Sequence, residues 1–165
     1  MTSGVHPAAR WLAFLLCVGA HGSPAGDALV PARDQPPRKL IVGSVVQGFW
    51  GDYPGLDVRT DELLQLAERV HQEARKAYGR NADLVVFPEE ALTGGRKGTA
   101  LETSVTFDGR VRERFSRAAA DRRCYMVLPL DLREDPASEA CFNAAILLNR
   151  EGEVQGIYRK VYMVY

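Results

Sequence analysis

The chain lacks a net charge: its 165 residues hold 21 Lys and Arg against 21 Asp and Glu. That balance gives no basic face to attract nucleic acid or acidic lipid. Histidine is scarce. His6, His21 and His71 are scattered, and the first two precede the predicted folded part, which excludes a histidine metal site. No run is apolar for long enough to cross a bilayer; the longest, Trp11 to Ala20, is too short. There is no Asn-x-Ser/Thr acceptor, no internal repeat, and cysteine occurs only at positions 17, 124 and 141. The apolar and charged fractions are ordinary for a soluble globular domain, and the length suffices for one real core.

The first residues read as a secretory signal. Arg10 supplies the positive charge, Trp11 to Ala20 the short apolar region, and Ala20-His21-Gly22 the small residues of a cleavage site. Residues 1–22 are therefore expected to be removed, giving a secreted or periplasmic protein with no membrane segment in the mature form. Residues 23–38, rich in Pro, Ala, Gly and Asp, read as a flexible linker. The folded domain is expected over 39–165.

Within it, hydropathy alternates between strands and one-sided helices. Lys39 to Val46 reads as a strand apolar enough to be covered on both faces. A helix capped by Thr60 or Asp61 should run to Tyr78 and end at Gly79. Its buried stripe is Leu63, Ala67, Val70, Ala74 and Ala77, which leaves His71 solvated. Leu84 to Phe87 is a second strand, so strand, helix and strand form a right-handed parallel unit. After a loop over 91–104, a helix from Gly109 to Arg123 turns Val111, Phe115, Ala118 and Ala119 inward. Its arginines 110, 112, 114 and 117 read as a solvated face. Cys124 to Leu130 is a strand, Asp131 to Ala140 a loop, and Phe142 to Leu148 with Val154 to Tyr158 a hairpin about Asn149 to Gly152. Cys124 and Cys141 open antiparallel neighbours, too far apart for a disulfide, and both read as small buried hydrophobes.

Chemistry concentrates at two places. In Asp83-Leu-Val-Val-Phe-Pro-Glu89 a run of β-formers is stopped by proline, which cannot donate to a ladder, and an acid follows at once. Glu89 then stands at the carboxyl end of a strand, where α/β proteins hold ligands. Burial there would raise its pKa toward the working pH of a general base. On the residues alone, the alternative is a solvated loop acid, with Glu90 beside it. The second place is Tyr158-Arg159-Lys160, after the Asn143-bearing strand and the glycine turn. Alone, Lys160 reads as a surface lysine, and Asn143 and Tyr158 as residues that pack and hydrogen-bond within the sheet. Gly94-Gly-Arg-Lys-Gly-Thr99 has phosphate-loop ingredients in the wrong order. Trp50 and Tyr53 lie in a loop that could border a pocket.

Taken together, Phe87-Pro88-Glu89, the Asn143 strand and Tyr158-Arg159-Lys160 resemble the nitrilase, or carbon–nitrogen hydrolase, superfamily, from about Lys39 to Tyr165. The resemblance implies an α/β fold, the α-β-β-α sandwich of the nitrilase type, of which this chain holds part, truncated before the nucleophile. It implies a Glu–Lys–Cys triad in which Glu89 is the general base and Lys160 steadies the tetrahedral intermediate. The family's cysteine lies downstream of its lysine, so these residues alone are expected to be inactive and to expose a sheet edge and an apolar face. The implied substrates are small-molecule amides, nitriles or ureido compounds, with no cofactor and no metal. Pairing of subunits, common in the family, stays open. So does a binding or scaffold domain that keeps the fold without the thiol.

Overall fold

Two parallel strand–helix–strand steps and one hairpin build a single mixed sheet. The computed structural model describes residues 39–49 and 51–161. The signal and linker assignments over 1–38, and Trp50, lie outside the described residues. Strands β1 (Val42–Ser44), β2 (Leu84–Val86), β3 (Tyr125–Leu132), β4 (Phe142–Leu148) and β5 (Val154–Arg159) lie side by side in chain order. The first three run parallel, and β4 and β5 are antiparallel to their predecessors. Helix α1 (Leu56–Tyr78) joins β1 to β2; a short α2 (Ala100–Thr103) and α3 (Gly109–Arg122) join β2 to β3.

Both crossovers step the same way across the sheet, so right-handed connections place α1 and α3 on one face. Ion pairs tie the two helices together: Arg110 to Asp57 at 3.7 Å, Arg122 to Glu68 at 2.6 Å, and Arg114 to Asp61. The arginines read as a solvated face are thus partly spent on the acids of α1. Beneath the helices the strands alternate strictly. Met126, Leu128, Leu130 and Leu132 of β3 stand opposite Leu148, Ile146, Ala144 and Phe142 of β4, and all but Phe142 are buried. Phe115, Leu63, Ala67, Val85 and Phe87 complete this core. The other face carries Tyr125, Val127, Pro129, Ala145 and Leu147, all half-buried.

Several sequence expectations need correction. β1 is shorter than Lys39 to Val46 and is not covered twice: it is an edge strand, with Val42 55% and Val46 94% exposed. Only its helix-side face is closed, where Gly43 admits Val70; a Cβ there would lie 2.0 Å from Val70 Cγ1. α1 begins a turn early, after Gly55, and Thr60 does not cap it. The Thr60 hydroxyl instead donates to the Leu56 carbonyl at 2.7 Å. The buried stripe of α1 passes through His71, 1% exposed, because the helix turns that position toward β3; Ala77 is exposed. The 91–104 loop contains α2, closed by a capping box of Thr99 and Glu102. Asp131 and Leu132 extend β3 rather than starting a loop.

Gly79 does adopt the left-handed C-cap, φ 73°, and its N–H donates to Arg75 O at 2.9 Å. Cys124 and Cys141 are unbridged. Cys124 is buried with Sγ 3.6 Å from His71 Nε2, whereas Cys141 is only half-buried, its Sγ 3.2 Å from Ser104 Oγ. At the amino end of β2, Asp83 accepts from Ile41 N at 3.0 Å, Arg80 at 2.7 Å and Arg150 at 3.0 Å, so one carboxylate joins three connections. In the hairpin, Ala144 pairs with Arg159 and Leu147 with Gly156; the ladder then slips, Leu148 meeting Val154, with Gln155 as the extra residue of a bulge. No helix among the described residues is long and apolar enough to cross a membrane.

Candidate active site

At the carboxyl end of β2 the sheet hands the chain to a tight turn. Phe87 N still donates to Val127 O at 3.1 Å, the last ladder bond before Pro88 ends the strand. Glu89 follows on the helix-free face. Two other strand ends meet it there. Lys160 N donates to Asn143 O at 2.8 Å, which closes the β4–β5 ladder and sets the two side chains next to each other. Both reach the same oxygen: Lys160 Nζ lies 2.6 Å and Asn143 Nδ2 2.8 Å from Glu89 Oε1. Residues 54 and 71 positions away in sequence therefore converge on one carboxylate.

The electrostatics differ from the sequence expectation. Burial was to raise the pKa of Glu89, but its side chain is 59% exposed. The Lys160 hydrogen bond, followed by that of Asn143, holds the carboxyl below its usual range and outweighs the slight burial. The same hydrogen bond raises Lys160. At neutral pH the pair is carboxylate and ammonium.

Further acids surround it. Glu90 is raised by burial, then by Asp131 and Glu89. Asp131 is raised by burial, against the lowering effect of the Thr93 hydroxyl. Thr93, itself buried, donates to Asp131 Oδ2 at 3.1 Å and accepts from Asp131 N at 3.0 Å, which pins the turn to the end of β3. Tyr53 donates to Leu92 O at 3.3 Å and is raised by burial. Arg59, from the first turns of α1, donates to Ala91 O at 3.1 Å and Gly94 O at 3.0 Å.

The structure thus brings both sequence-predicted site residues, Glu89 and Lys160, into contact. Asn143, read as a sheet-packing residue, joins them because its half of the hairpin pairs directly with Lys160. Tyr158, expected to pack, is 65% exposed. Sequence reasoning passed over Asp131, placed in a loop, and Arg59, placed ahead of the helix. The parity of the hairpin held a signal for Asn143; nothing local marked Arg59. Among the described residues no three His, Cys, Asp or Glu side chains are grouped to hold a metal ion. Neither described thiol is hydrogen-bonded to Glu89 or Lys160.

Comparison with known proteins gives a consistent result. The sequence profile described as carbon-nitrogen hydrolase matches residues 45–165. A formamidase of Bradyrhizobium diazoefficiens is 29% identical over 132 residues, which cover 76% of this chain and 36% of the formamidase. Among solved structures, an N-terminal amidase with an Asn-Glu-Ala peptide superimposes with a TM-score of 0.57 at 19% identity, over 76% of this chain and 29% of the amidase. A CN-hydrolase superfamily protein of Xanthomonas campestris, with an arsenic adduct in its active site, gives 0.52 at 22% identity, over 76% and 40%. At such identities the likeness establishes the fold: the five-stranded α/β sheet corresponds to part of these nitrilase-type structures. The chain spans little more than a third of the length of the formamidase it matches.

Proposed function

The chain belongs to the carbon-nitrogen hydrolase family, whose profile runs from residue 45 to 165, and from that premise we propose that it contributes the base and the cation of an amide-hydrolysing site. The observation that carries the proposal is the 2.6 Å contact of Lys160 Nζ with Glu89 Oε1, braced by Asn143, on the helix-free face of the sheet. An amide is favoured over a nitrile or ureido substrate by the names of the relatives, formamidase and N-terminal amidase.

In this reading a thiol from outside these 165 residues completes the site. Glu89 takes the thiol proton, and the thiolate attacks the carbonyl carbon. Negative charge grows on the carbonyl oxygen, where the Lys160 ammonium, already fixed, balances it at little reorganisation cost. The C–N bond breaks, the nitrogen leaves with the proton held by Glu89, and a thioester remains. Glu89 then deprotonates a water that attacks the thioester; the acid departs and the thiol recovers its proton. A carboxylate held low by an ammonium is a weak base in the open site. Exclusion of water and engagement of Lys160 by the oxyanion both raise it toward the working range.

The test measures ammonia release from small aliphatic amides by the protein that carries this chain. Glu89→Gln and Lys160→Met are each expected to lower kcat/KM by on the order of 10³-fold or more, since groups acting as a unit fail together. The 165 residues alone are expected to release none. Wild-type turnover in Glu89→Gln would refute the assignment. Binding of amides without turnover in the unsubstituted protein would assign the same residues to a non-catalytic module.

A further inference from the structure

We infer that Arg59 is a positioning residue: its guanidinium fixes the turn over residues 88–95 that presents Glu89 to Lys160. This rests on the reading of Glu89 given above and extends it to α1.

The turn is unusual in its backbone. Glu90, directly after the acid, adopts φ 53°, a left-handed conformation that side chains with a Cβ rarely keep. Its carbonyl accepts from both Thr93 N at 3.1 Å and Gly94 N at 2.6 Å, while Ala91 N donates to Pro88 O at 3.2 Å. Such a conformation persists only where the surroundings over-determine it. Arg59 supplies that determination. One nitrogen, Nη1, bridges the carbonyls of Ala91 and Gly94, on either side of the tightest part of the turn. Nε donates to Glu62 at 3.0 Å, and the guanidinium carbon lies 4.4 Å from the Phe49 ring centre and 5.4 Å from that of Tyr53.

The residue is 4% exposed. A buried cation is tolerated only when its donors are satisfied. Here they are satisfied by main-chain oxygens two and five residues beyond the acid, and only Glu62 provides a counter-charge on its own helix. A guanidinium is suited to this task because its donors form a rigid fork and its face stacks on rings; a lysine in its place keeps the charge and loses the fork. Leu92 and Ala91, both fully buried, anchor the underside of the same turn.

The experiment follows the Glu89 carboxyl of the 165-residue chain by ¹³C-resolved NMR titration, with Glu89→Gln to identify the signal. Arg59→Lys and Arg59→Met are compared with the unsubstituted chain below their melting temperatures. The groups facing Glu89 are Lys160, Asn143, Glu90 and Asp131. If Arg59 positions the turn, both variants let Glu89 drift from Lys160, and its midpoint moves up toward the ordinary glutamate range in both. Movement in Arg59→Met alone would mean that Arg59 acts through its charge, and an unmoved midpoint in both would mean that it only stabilises the fold; either result overturns the inference. In the hydrolytic assay, Arg59→Lys is expected to lower kcat by about tenfold to a hundredfold with KM little changed, the scale of an ångström-sized misplacement. Shifted midpoints in a protein that never hydrolyses amides would sink the catalytic reading and leave Arg59 as the anchor of the turn. Unshifted midpoints in an active enzyme would do the reverse.

Discussion

Replacing Phe115 by alanine removes the largest fully buried side chain of the core. Its ring meets Phe87 edge-on, centroids 6.4 Å apart at 76°, and Phe107 at 6.5 Å. Phe87 is the last apolar residue before Pro88 and Glu89, so this contact supports the strand end that carries the acid. Phenylalanine-to-alanine changes in cores cost about 3–5 kcal/mol through lost transfer energy and the cavity left behind. Two aromatic neighbours place this site in the upper half, since each such pair adds roughly 0.5–1.5 kcal/mol beyond area. Against a total of about 5–15 kcal/mol for a domain, that is a large share, and the melting temperature should fall by about 10 °C or more. Urea unfolding followed by far-ultraviolet circular dichroism measures the loss. Phe115→Leu, which keeps much of the volume, should lose less than half as much. Tyr78→Ala, at an exposed position on α1, should stay within about 0.5 kcal/mol of the parent. If Phe115→Ala unfolds at the same urea concentration as Tyr78→Ala, α3 does not pack as described and the support assigned to Phe87 fails with it.

Two further outcomes are expected. Because Lys160 holds Glu89 below its usual range, the pair contributes stability that is present above the unfolded glutamate value of about 4.3 and is lost as pH falls through the lowered folded value. Lys160→Met should raise the Glu89 midpoint and flatten that part of the stability–pH curve; an unchanged curve would mean the contact is not kept in solution. Cys124, pushed up to about 11 by burial, should resist maleimide in the native protein at mildly alkaline pH, while the half-buried Cys141 reacts. Peptide mapping by mass spectrometry distinguishes the two, and rapid labelling of Cys124 would contradict its burial under α1.

What the sequence disclosed follows the range of the forces involved. The strand character of β3 and β4, the proline that ends β2 and the glycine that ends α1 are local, and each was legible. Glu89 and Lys160 were legible as a pair only through two motifs read together, because their contact joins residues 71 positions apart. His71 was misread because the stripe of α1 was drawn through the partly buried Val70 and the exposed Ala77, whereas the fully covered face runs through Leu63, Ala67, His71 and Ala74. The direction of the Glu89 shift was misread for a related reason. Burial was inferred from the strand, whereas the side chain leaves it for the open face, where hydrogen bonds outweigh desolvation. Arg59 gave no signal, since a cation at the start of an amphipathic helix ordinarily faces water. Only the path of a loop more than thirty residues later turns it inward.

The slip at Gln155 decides which cation meets the acid. If the ladder kept the offset set by Leu148 and Val154 along its whole length, Arg159 would stand across from Asn143, and Lys160 would be rotated to the helix side. One surplus residue reverses that parity. Arg159 instead reaches outward to Glu134, and the amine is delivered to Glu89. A permanently protonated planar fork and a compact ammonium are different chemical tools. Lengthening β5 by a single residue beyond Gln155 would exchange one for the other at Glu89 while leaving both side chains in the protein.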